Sequence, residues 1–162
     1  MSNLPQDLPA DFGAAIAKLG ARERLEVEDM KLMILLETAG DPLYQKLADL
    51  VENEQARELL RANGREETAH AHRLKHAIEI LTGEPFEIPS LDENPYAEPP
   101  PFTEVNAELL AGVEAGEIAG DAMYQRYAEH EPNAEVAELL RQNGREETRH
   151  GGRVKQAIAL IS

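Results

Sequence analysis

Glutamate and histidine recur in one pattern in the two halves of the chain. Residues 59–70 read LLRANGREETAH and residues 139–150 read LLRQNGREETRH, a repeat at an offset of 80 residues. In each half a Glu-x-x-His pair follows another glutamate after thirty residues, which gives six candidates: Glu37, Glu67, His70, Glu117, Glu147 and His150. Oxygen and imidazole donors of this kind are ligands for transition-metal ions.

These side chains can meet if each half of the chain forms a helical hairpin. Residues equidistant from a hairpin turn lie at the same height. The midpoint of Glu37 and Glu67 is residue 52, and the second half repeats this arrangement around residue 132. At 1.5 Å per residue, each glutamate then lies roughly 22 Å from its turn. Because residues three apart share a helix face, each histidine accompanies its glutamate.

Four carboxylates at one level of a bundle predict bound cations. Desolvation and mutual repulsion both oppose burying them as bare charges. Two divalent cations would balance the four negative charges, and neutral histidines would complete the coordination. A glutamate from two helices, with Glu-x-x-His from the other two, is the general pattern of di-iron and di-manganese carboxylate bundles. The donors suit two iron ions, with manganese or zinc as substitutes.

The rest of the sequence predicts helices that could position these residues. Aromatic residues are only 4% of the chain, and Ala, Leu, Glu and Arg dominate, which is typical of helices. Gly20 ends a short helix, Pro42 kinks the first long helix, and Asn53 and Thr103 cap the next two. The predicted helices span about 10–19, 21–50, 54–81, 104–129 and 134 to the C-terminus.

The predicted fold is all-α, a ferritin-like four-helix bundle made of two repeated hairpins and a long crossover. Six of the ten prolines lie between residues 84 and 101, so this connection is extended and forms no element. We expect a single domain over residues 1–162, long enough for one core. Its parts are hairpin 1 at about 21–82, the crossover at 83–102 and hairpin 2 at about 103–161.

Composition excludes several classes of function. The formal charge of −15, from 31 acidic and 16 basic residues, argues against nucleic acid or an anionic membrane as a partner. The chain has no cysteine, which excludes disulfides, thiolate catalysis and iron–sulfur or rubredoxin-type centres within it. It shows neither a long apolar run nor a signal peptide, so we expect a cytoplasmic location.

On the residues quoted above, the chain resembles the ferritin-like di-iron carboxylate superfamily, most closely its rubrerythrin and bacterioferritin-type members. The resemblance covers roughly residues 25–160. It implies that the six glutamates and histidines bind metal and that Glu67 and Glu147 each bridge both ions. It also implies a further ligand one turn from the third-helix glutamate, a place that Glu114 occupies. The equivalent residue in the first half is Ile34, so this feature is not repeated.

Tyrosines and glycines also recur near the predicted ligands. Tyr44 and Tyr124 lie two turns away, where we expect buried side chains with hydroxyls bonded to a ligand carboxylate. A catalytic redox role for either tyrosine is the alternative. Gly64 and Gly144 precede the bridging glutamates by one turn and should leave room for a helix or a metal ligand.

Three further glycines and three further histidines have simpler interpretations. We expect the glycines to allow close helix contact, with a pocket for oxygen or peroxide as the alternative. They are Gly112, Gly116 and Gly120. We expect the histidines to lie at the surface, because none has a histidine at the equivalent repeat position. They are His72, His76 and His130.

The resemblance implies a non-haem di-iron oxidoreductase, a rubrerythrin-like peroxidase or oxidase. It would act on peroxide or dioxygen with an electron donor that the sequence does not identify. Ferroxidase activity with iron handling and hydroxylation of an organic substrate are the alternatives. Residues 114–124, EAGEIAGDAMY, resemble the third-helix motif of quinone-biosynthesis hydroxylases of the same superfamily. A purely structural role for the metal is the least favoured interpretation, and a homodimer is an assembly that the resemblance allows.

Overall fold

The computed structural model describes residues 3–162, and over that range its regular structure is entirely helical. Its α-helices are α1 (Phe12–Gly20), α2 (Val27–Asp49), α3 (Glu54–Thr82), α4 (Ala107–His130) and α5 (Ala134–Ile161). Helices α2 and α3 pack as one hairpin, α4 and α5 pack as the other, and α3 packs against α5. This arrangement confirms the predicted ferritin-like four-helix bundle with a short N-terminal helix.

Two helices begin later than the sequence predicts. Helix α2 starts at Val27 rather than residue 21, because Glu26 and Asp29 form a capping box there, in which the Glu26 N–H donates to Asp29 Oδ2 at 3.0 Å. Arg126 on α4 donates to the Gly20 and Arg22 carbonyls and so holds the chain before this start. Helix α4 starts at Ala107, where the Asn106 side chain accepts a hydrogen bond from the Leu109 N–H at 2.8 Å. The predicted cap at Thr103 is therefore wrong. Asn53 caps α3 as predicted, and its side chain accepts from Ala56 N–H at 2.9 Å.

Helix α2 continues through Pro42 without a break. The kink expected at Pro42 remains a prediction. Gly83 ends α3 with φ of 71°, the left-handed conformation that favours glycine at a helix C-terminus.

The crossover is extended, as predicted, apart from one 3-10 turn at Leu91–Glu93. That turn corrects the expectation that the connection holds no element. Asn94 fixes the segment to α2, because its amide donates to the Leu35 carbonyl at 2.7 Å and to the Thr38 hydroxyl at 2.9 Å. No helix among residues 3–162 is both long and apolar enough to cross a membrane.

Two apolar clusters occupy opposite ends of the bundle. One joins α1 and the N-terminal part of α2 to the C-terminal part of α3, and Leu32, Leu74 and Tyr127 are among its buried residues. The other joins the C-terminal part of α2 to the N-terminal part of α3, and it contains Leu47 and Leu60. The predicted metal ligands lie between the two clusters along the helices, so the polar layer is held from both ends.

Gly64 and Gly144 let the helices of each hairpin approach closely. A Cβ atom at Gly64 would lie 2.7 Å from Asp41 Oδ1 and 3.1 Å from Tyr44 Cβ. A Cβ at Gly144 would meet Asp121 Oδ1 at 2.7 Å and Tyr124 Cβ at 3.1 Å. The neighbouring helix thus takes the room that these glycines leave. This was one of the two expectations from the sequence, and the other was room for a metal ligand.

The glycines of α4 behave differently from the prediction. A Cβ atom at Gly112 or Gly116 would meet no atom within 4 Å among the described residues. Close helix contact is therefore wrong for these two positions, because α2 and α4 approach each other far less closely than the other neighbouring helices. At Gly120 a Cβ would lie 3.5 Å from the Glu147 side chain, an ordinary contact distance.

The close approach at Gly64 predicts an unusual response to alanine. Alanine normally stabilises a helix interior by about 1 kcal/mol relative to glycine. Gly64→Ala should instead lower the free energy of unfolding, because overpacking of this kind costs about 1–3 kcal/mol. Gly152→Ala is the matched control, since a Cβ there meets nothing within 4 Å on the same type of helix. Chemical denaturation of both metal-free variants tests this, and a stabilised Gly64→Ala would contradict the tight packing.

Candidate metal centre

Four helices bring the predicted ligands to one buried level of the bundle. Glu37 lies on α2, Glu117 on α4, and the two Glu-x-x-His pairs on α3 and α5. Glu67, His70, Glu147 and His150 are all buried, and one donor atom from each lies within 4.8 Å of the others. The register argument thus placed the six side chains correctly. Their role as metal ligands remains a prediction.

His70 Nδ1 faces three carboxylate oxygens. Glu37 Oε2 lies 3.4 Å from it, Glu67 Oε2 lies 3.5 Å away, and Glu147 Oε1 lies 3.3 Å away. These oxygens come from three different helices, while the histidine comes from the same helix as Glu67. The four side chains form a first donor set of one nitrogen and three oxygens.

His150 Nδ1 faces a second set of the same composition. Glu67 Oε1 lies 3.3 Å from it, Glu147 Oε2 lies 3.6 Å away, and Glu117 Oε2 lies 3.7 Å away. Glu67 and Glu147 therefore present one oxygen to each histidine, while Glu37 and Glu117 each contact one. This division of the oxygens is what two bridging and two terminal carboxylates would require.

A second observation, independent of the distances between the donor atoms, indicates that both sets could hold metal ions. The Nδ1 atoms of His70 and His150 are buried, and neither makes a hydrogen bond within the described chain. A buried polar atom without a partner is rare and costly, and a bound ion is one of its standard explanations. The imidazole rings stack with centroids 5.0 Å apart and an angle of 13°, so the two nitrogens are held side by side.

Without a cation the cluster must be neutralised by protons. Burial and the negative charge of Glu117 raise the pKa of Glu67 to about 7, and burial and Glu67 raise the pKa of Glu147 well above its usual range. Burial alone would lower the pKa of His150, yet the surrounding carboxylates raise it to about 12. These shifts favour protons on Glu67, Glu147 and His150 in the metal-free chain.

The pKa values of the two terminal glutamates, Glu37 and Glu117, are shifted in the opposite direction. Burial alone would raise the pKa of Glu37, but the nearby His70 imidazole, as a positive charge, holds it below the ordinary value. Burial would likewise raise the pKa of Glu117, and the neighbouring Glu147 carboxyl and His150 imidazole lower it. The metal-free cluster therefore combines two ionised terminal carboxylates with protonated neighbours.

Each tyrosine hydrogen-bonds a terminal glutamate of the other hairpin. The Tyr44 hydroxyl donates to Glu117 Oε1, and the Tyr124 hydroxyl donates to Glu37 Oε1. Burial, followed by the charge of these carboxylates, raises the pKa of both phenols well above the usual range. The expected bond to a carboxylate of the cluster is present, and the catalytic role of the tyrosines remains a prediction.

A carboxylate outside the donor sets orients His150. Glu66 Oε2 lies 2.9 Å from His150 Nε2, on the side of the ring away from the cluster. Arg153 grips Glu66 with two hydrogen bonds of 2.9 and 3.1 Å, and Arg149 lies 3.0 Å from the same carboxylate. Burial alone would raise the pKa of Glu66, but these arginines lower it to about 2. An ionised Glu66 holds the proton at Nε2 and leaves Nδ1 free to face the carboxylates.

The equivalent carboxylate near His70 does not make this bond. Glu146 Oε2 is paired with Arg73 and lies 3.5 Å from His70 Nε2, which is buried and makes no hydrogen bond within the described chain. Asn143 donates to the His70 carbonyl at 3.2 Å, as Asn63 does to the His150 carbonyl at 3.1 Å. Sequence reasoning missed these asparagines, glutamates and arginines. The offset of 80 residues pairs Asn63 with Asn143, Glu66 with Glu146 and Arg73 with Arg153, so the repeat itself contained the information; Arg149 has no such partner.

The remaining predicted site residues lie outside the two donor sets. Glu114 is half-buried one turn from Glu117, and its side chain makes no hydrogen bond or ion pair within residues 3–162. Its role as a ligand remains a prediction. The three other histidines are exposed, as expected: His72, His76 and His130.

A groove of about 360 Å³ opens between α2 and α4 onto the cluster. Its lining includes Glu37, Glu67, Glu117 and Glu147, together with Gly116 and Gly120. The alternative interpretation of the α4 glycines, a pocket beside the site, therefore fits these two positions. Gly112 does not line the groove.

Comparison with known proteins identifies the family. A family model described as Rubrerythrin matches residues 30–158, a range that contains every residue of the cluster and both tyrosines. No curated protein and no solved structure gives a significant match to the chain. The family match covers most of the bundle, from the start of α2 to the end of α5. The chain therefore belongs to the rubrerythrin family.

Proposed function

We propose that this chain binds two iron ions and reduces peroxide, with dioxygen as a second oxidant, as a rubrerythrin-like peroxidase or oxidase. The observation that carries the proposal is the pair of unpartnered histidine nitrogens, each facing three carboxylate oxygens. Glu67 and Glu147 belong to both donor sets. Family membership supports the same assignment.

Charge and donor chemistry favour iron. Four carboxylates carry four negative charges, which two divalent cations would balance at a buried site. A set of mixed carboxylate and imidazole donors suits iron and manganese, and zinc can replace them. Two ferrous ions would supply the two electrons that, with two protons, convert hydrogen peroxide into two molecules of water.

The protein's own contribution is to hold the donors and to control water. Tyr44 and Tyr124 each occupy one oxygen of a terminal glutamate, which leaves the other oxygen turned to the donor set. Glu66 fixes the orientation of His150 in the same way. Apolar clusters at both ends of the bundle keep bulk water away from the centre, and the groove gives the oxidant a path.

Metal stoichiometry tests the proposal most directly. The unmodified chain should bind two ferrous or zinc ions, and replacing Glu67 or Glu147 with alanine should remove at least one. Each of these glutamates belongs to both donor sets, so either loss affects both ions. Equilibrium dialysis with elemental analysis measures the ratio. Glu58→Ala, on the exposed face of α3, is the control and should still bind two ions. Saturation of the unmodified chain at one ion or none would exclude a dinuclear centre.

A second prediction uses two glycines that the repeat makes equivalent. A Cβ at Gly40 would lie 2.7 Å from Glu67 Cγ and 3.1 Å from its Cβ, so Gly40→Ala must displace the Glu67 side chain. A Cβ at Gly120 would lie 3.5 Å from Glu147, an ordinary contact. We expect Gly40→Ala to weaken metal binding roughly tenfold or more and Gly120→Ala to leave it unchanged. Competition against a chelating dye measures both affinities, and equal affinities would argue against Glu67 as a ligand.

A third prediction distinguishes peroxide from dioxygen chemistry. The anaerobically reduced, iron-loaded chain should be oxidised faster by hydrogen peroxide than by dioxygen at equal concentration. Glu114→Ala should slow the peroxide reaction while two ions remain bound, because an extra carboxylate beside the site favours the oxidised, more positive state of the metal. Stopped-flow absorbance measures these rates, and Glu129→Ala on the exposed end of α4 is the control.

Two results would contradict this assignment. One is a faster reaction with dioxygen, and the other is a Glu114→Ala variant that behaves like the unmodified chain. Either would favour ferroxidase or hydroxylase chemistry at the same centre.

A further inference from the structure

The groove between α2 and α4 has the size of a small-molecule site. Its volume of about 360 Å³ lies within the range of roughly 300–1,000 Å³ that is usual for ligand pockets. One wall comes from α2 and the other from α4, and the four glutamates of the centre belong to its lining. A molecule in the groove would therefore contact the candidate metal centre directly.

The walls of the groove are apolar. Aside from the glutamates and the two tyrosines, the lining consists of aliphatic, aromatic, methionine and glycine residues, among them Met33, Leu36, Leu43, Val113 and Met123. No lysine, arginine or histidine of the described chain lines it. Both tyrosine hydroxyls already donate to glutamates of the centre. The walls thus offer no cation and no free hydroxyl to a charged ligand, and they favour a neutral, apolar one.

Helix α1 supplies the rim of the groove. Phe12 and Ile16 line it and are 45% and 38% exposed, which is unusual for large hydrophobic side chains. The helix is firmly held, because the Tyr127 hydroxyl donates to the Leu19 carbonyl at 2.5 Å and Arg126 donates to the Gly20 carbonyl at 2.8 Å. Exposed apolar side chains at the rim of a pocket mark a place where a ligand or partner binds.

Glycine keeps the groove open on the α4 side. Gly116 lines it, and a Cβ added there would meet no atom within 4 Å. A side chain at this position would therefore begin in open space at the wall of the groove. Gly112, one turn earlier, is equally unobstructed but does not line the groove. Comparing substitutions at Gly116 and Gly112 therefore distinguishes the effect of filling the groove from the general effect of replacing a helix glycine.

We infer that the groove binds a small, neutral, apolar organic molecule against the carboxylates of the centre. The inference goes beyond the proposed function and rests on it in one respect, because it places this molecule beside the two proposed metal ions. A small molecule suits the space better than a segment of protein, because the groove holds only about 360 Å³, near the lower end of the range for ligand pockets. Continuity between the groove and the buried glutamates identifies a ligand site rather than an isolated surface patch.

Binding of a neutral fluorescent aromatic probe tests the inference. The probe is N-phenyl-1-naphthylamine, and the protein is the full chain loaded with zinc, which cannot be oxidised or reduced by the probe. The unmodified chain and Gly112→Leu should bind one probe molecule with similar affinity. Gly116→Leu should bind it at least tenfold more weakly while retaining two zinc ions. If Gly116→Leu fails to fold, Ala119→Phe fills the groove from the next turn and carries the same expectation.

Sedimentation of the same samples separates the alternative occupants. Equal probe affinity in Gly116→Leu and Gly112→Leu would overturn the inference. So would an unmodified dimer that excludes the probe and becomes a monomer in Gly116→Leu, because a second copy would then cover the groove. If the chain binds fewer than two ions and Gly116→Leu alone loses the probe, the di-iron proposal fails and the groove stands as a ligand site.

Discussion

Four carboxylates buried at one level of a helical bundle are the constraint on which the rest of this structure depends. Ionised carboxylates are very costly to bury unless each is paired, and here they also repel one another. The four carboxylates do not respond to burial in the same way. Glu37 and Glu117 each receive a tyrosine hydroxyl and keep a lowered pKa, whereas the pKa values of Glu67 and Glu147 are raised. Protons satisfy this arrangement only partly, because both histidine Nδ1 atoms still lack a hydrogen-bond partner in the described chain.

The bonds that organise the centre also join the two hairpins. Tyr44 on α2 reaches Glu117 on α4, and Asn63 on α3 reaches the His150 carbonyl on α5. The equivalent bonds of the second half run in the opposite direction. Since α2 and α4 hardly pack against each other, these polar contacts and the α3–α5 interface connect the halves. The same side chains therefore support the site and the bundle, so substitutions among them should affect both.

The sequence was sufficient to predict which six side chains meet, because that prediction needed only the repeat and the fixed rise of an α-helix. Other features depended on distant contacts. Arg126 on another helix holds the residues between α1 and α2 in a non-helical conformation, and the choice of Asn106 over Thr103 as a cap lies between two residues that both cap well. Charged residues such as Glu66 are common on helix faces. Only the distance between helices shows that this one holds a histidine.

The prediction of close helix contact at the glycines of α4 was wrong for a related reason. Glycine at four-residue spacing is compatible with close packing and with an open groove, and the sequence does not distinguish these. The structure distinguishes them through the separation of α2 and α4. Predictions that depended on the geometry of single helices were thus reliable. Predictions that depended on the distance between two helices were not.

The two halves of the site are equivalent in donor type but not in surroundings. On α2, Gly40 lies so close to Glu67 that a Cβ would approach it to 2.7 Å, whereas the equivalent distance from Gly120 to Glu147 is 3.5 Å. The Glu117 side chain is 11% exposed and that of Glu37 is 6% exposed. The short helix α1 has no counterpart in the second half, and its apolar residues border the groove on one side only. The repeated hairpin therefore accounts for the composition of the two donor sets. Helix α1, which is not repeated, and the looser packing of α4 determine the side from which a small molecule can reach those donors.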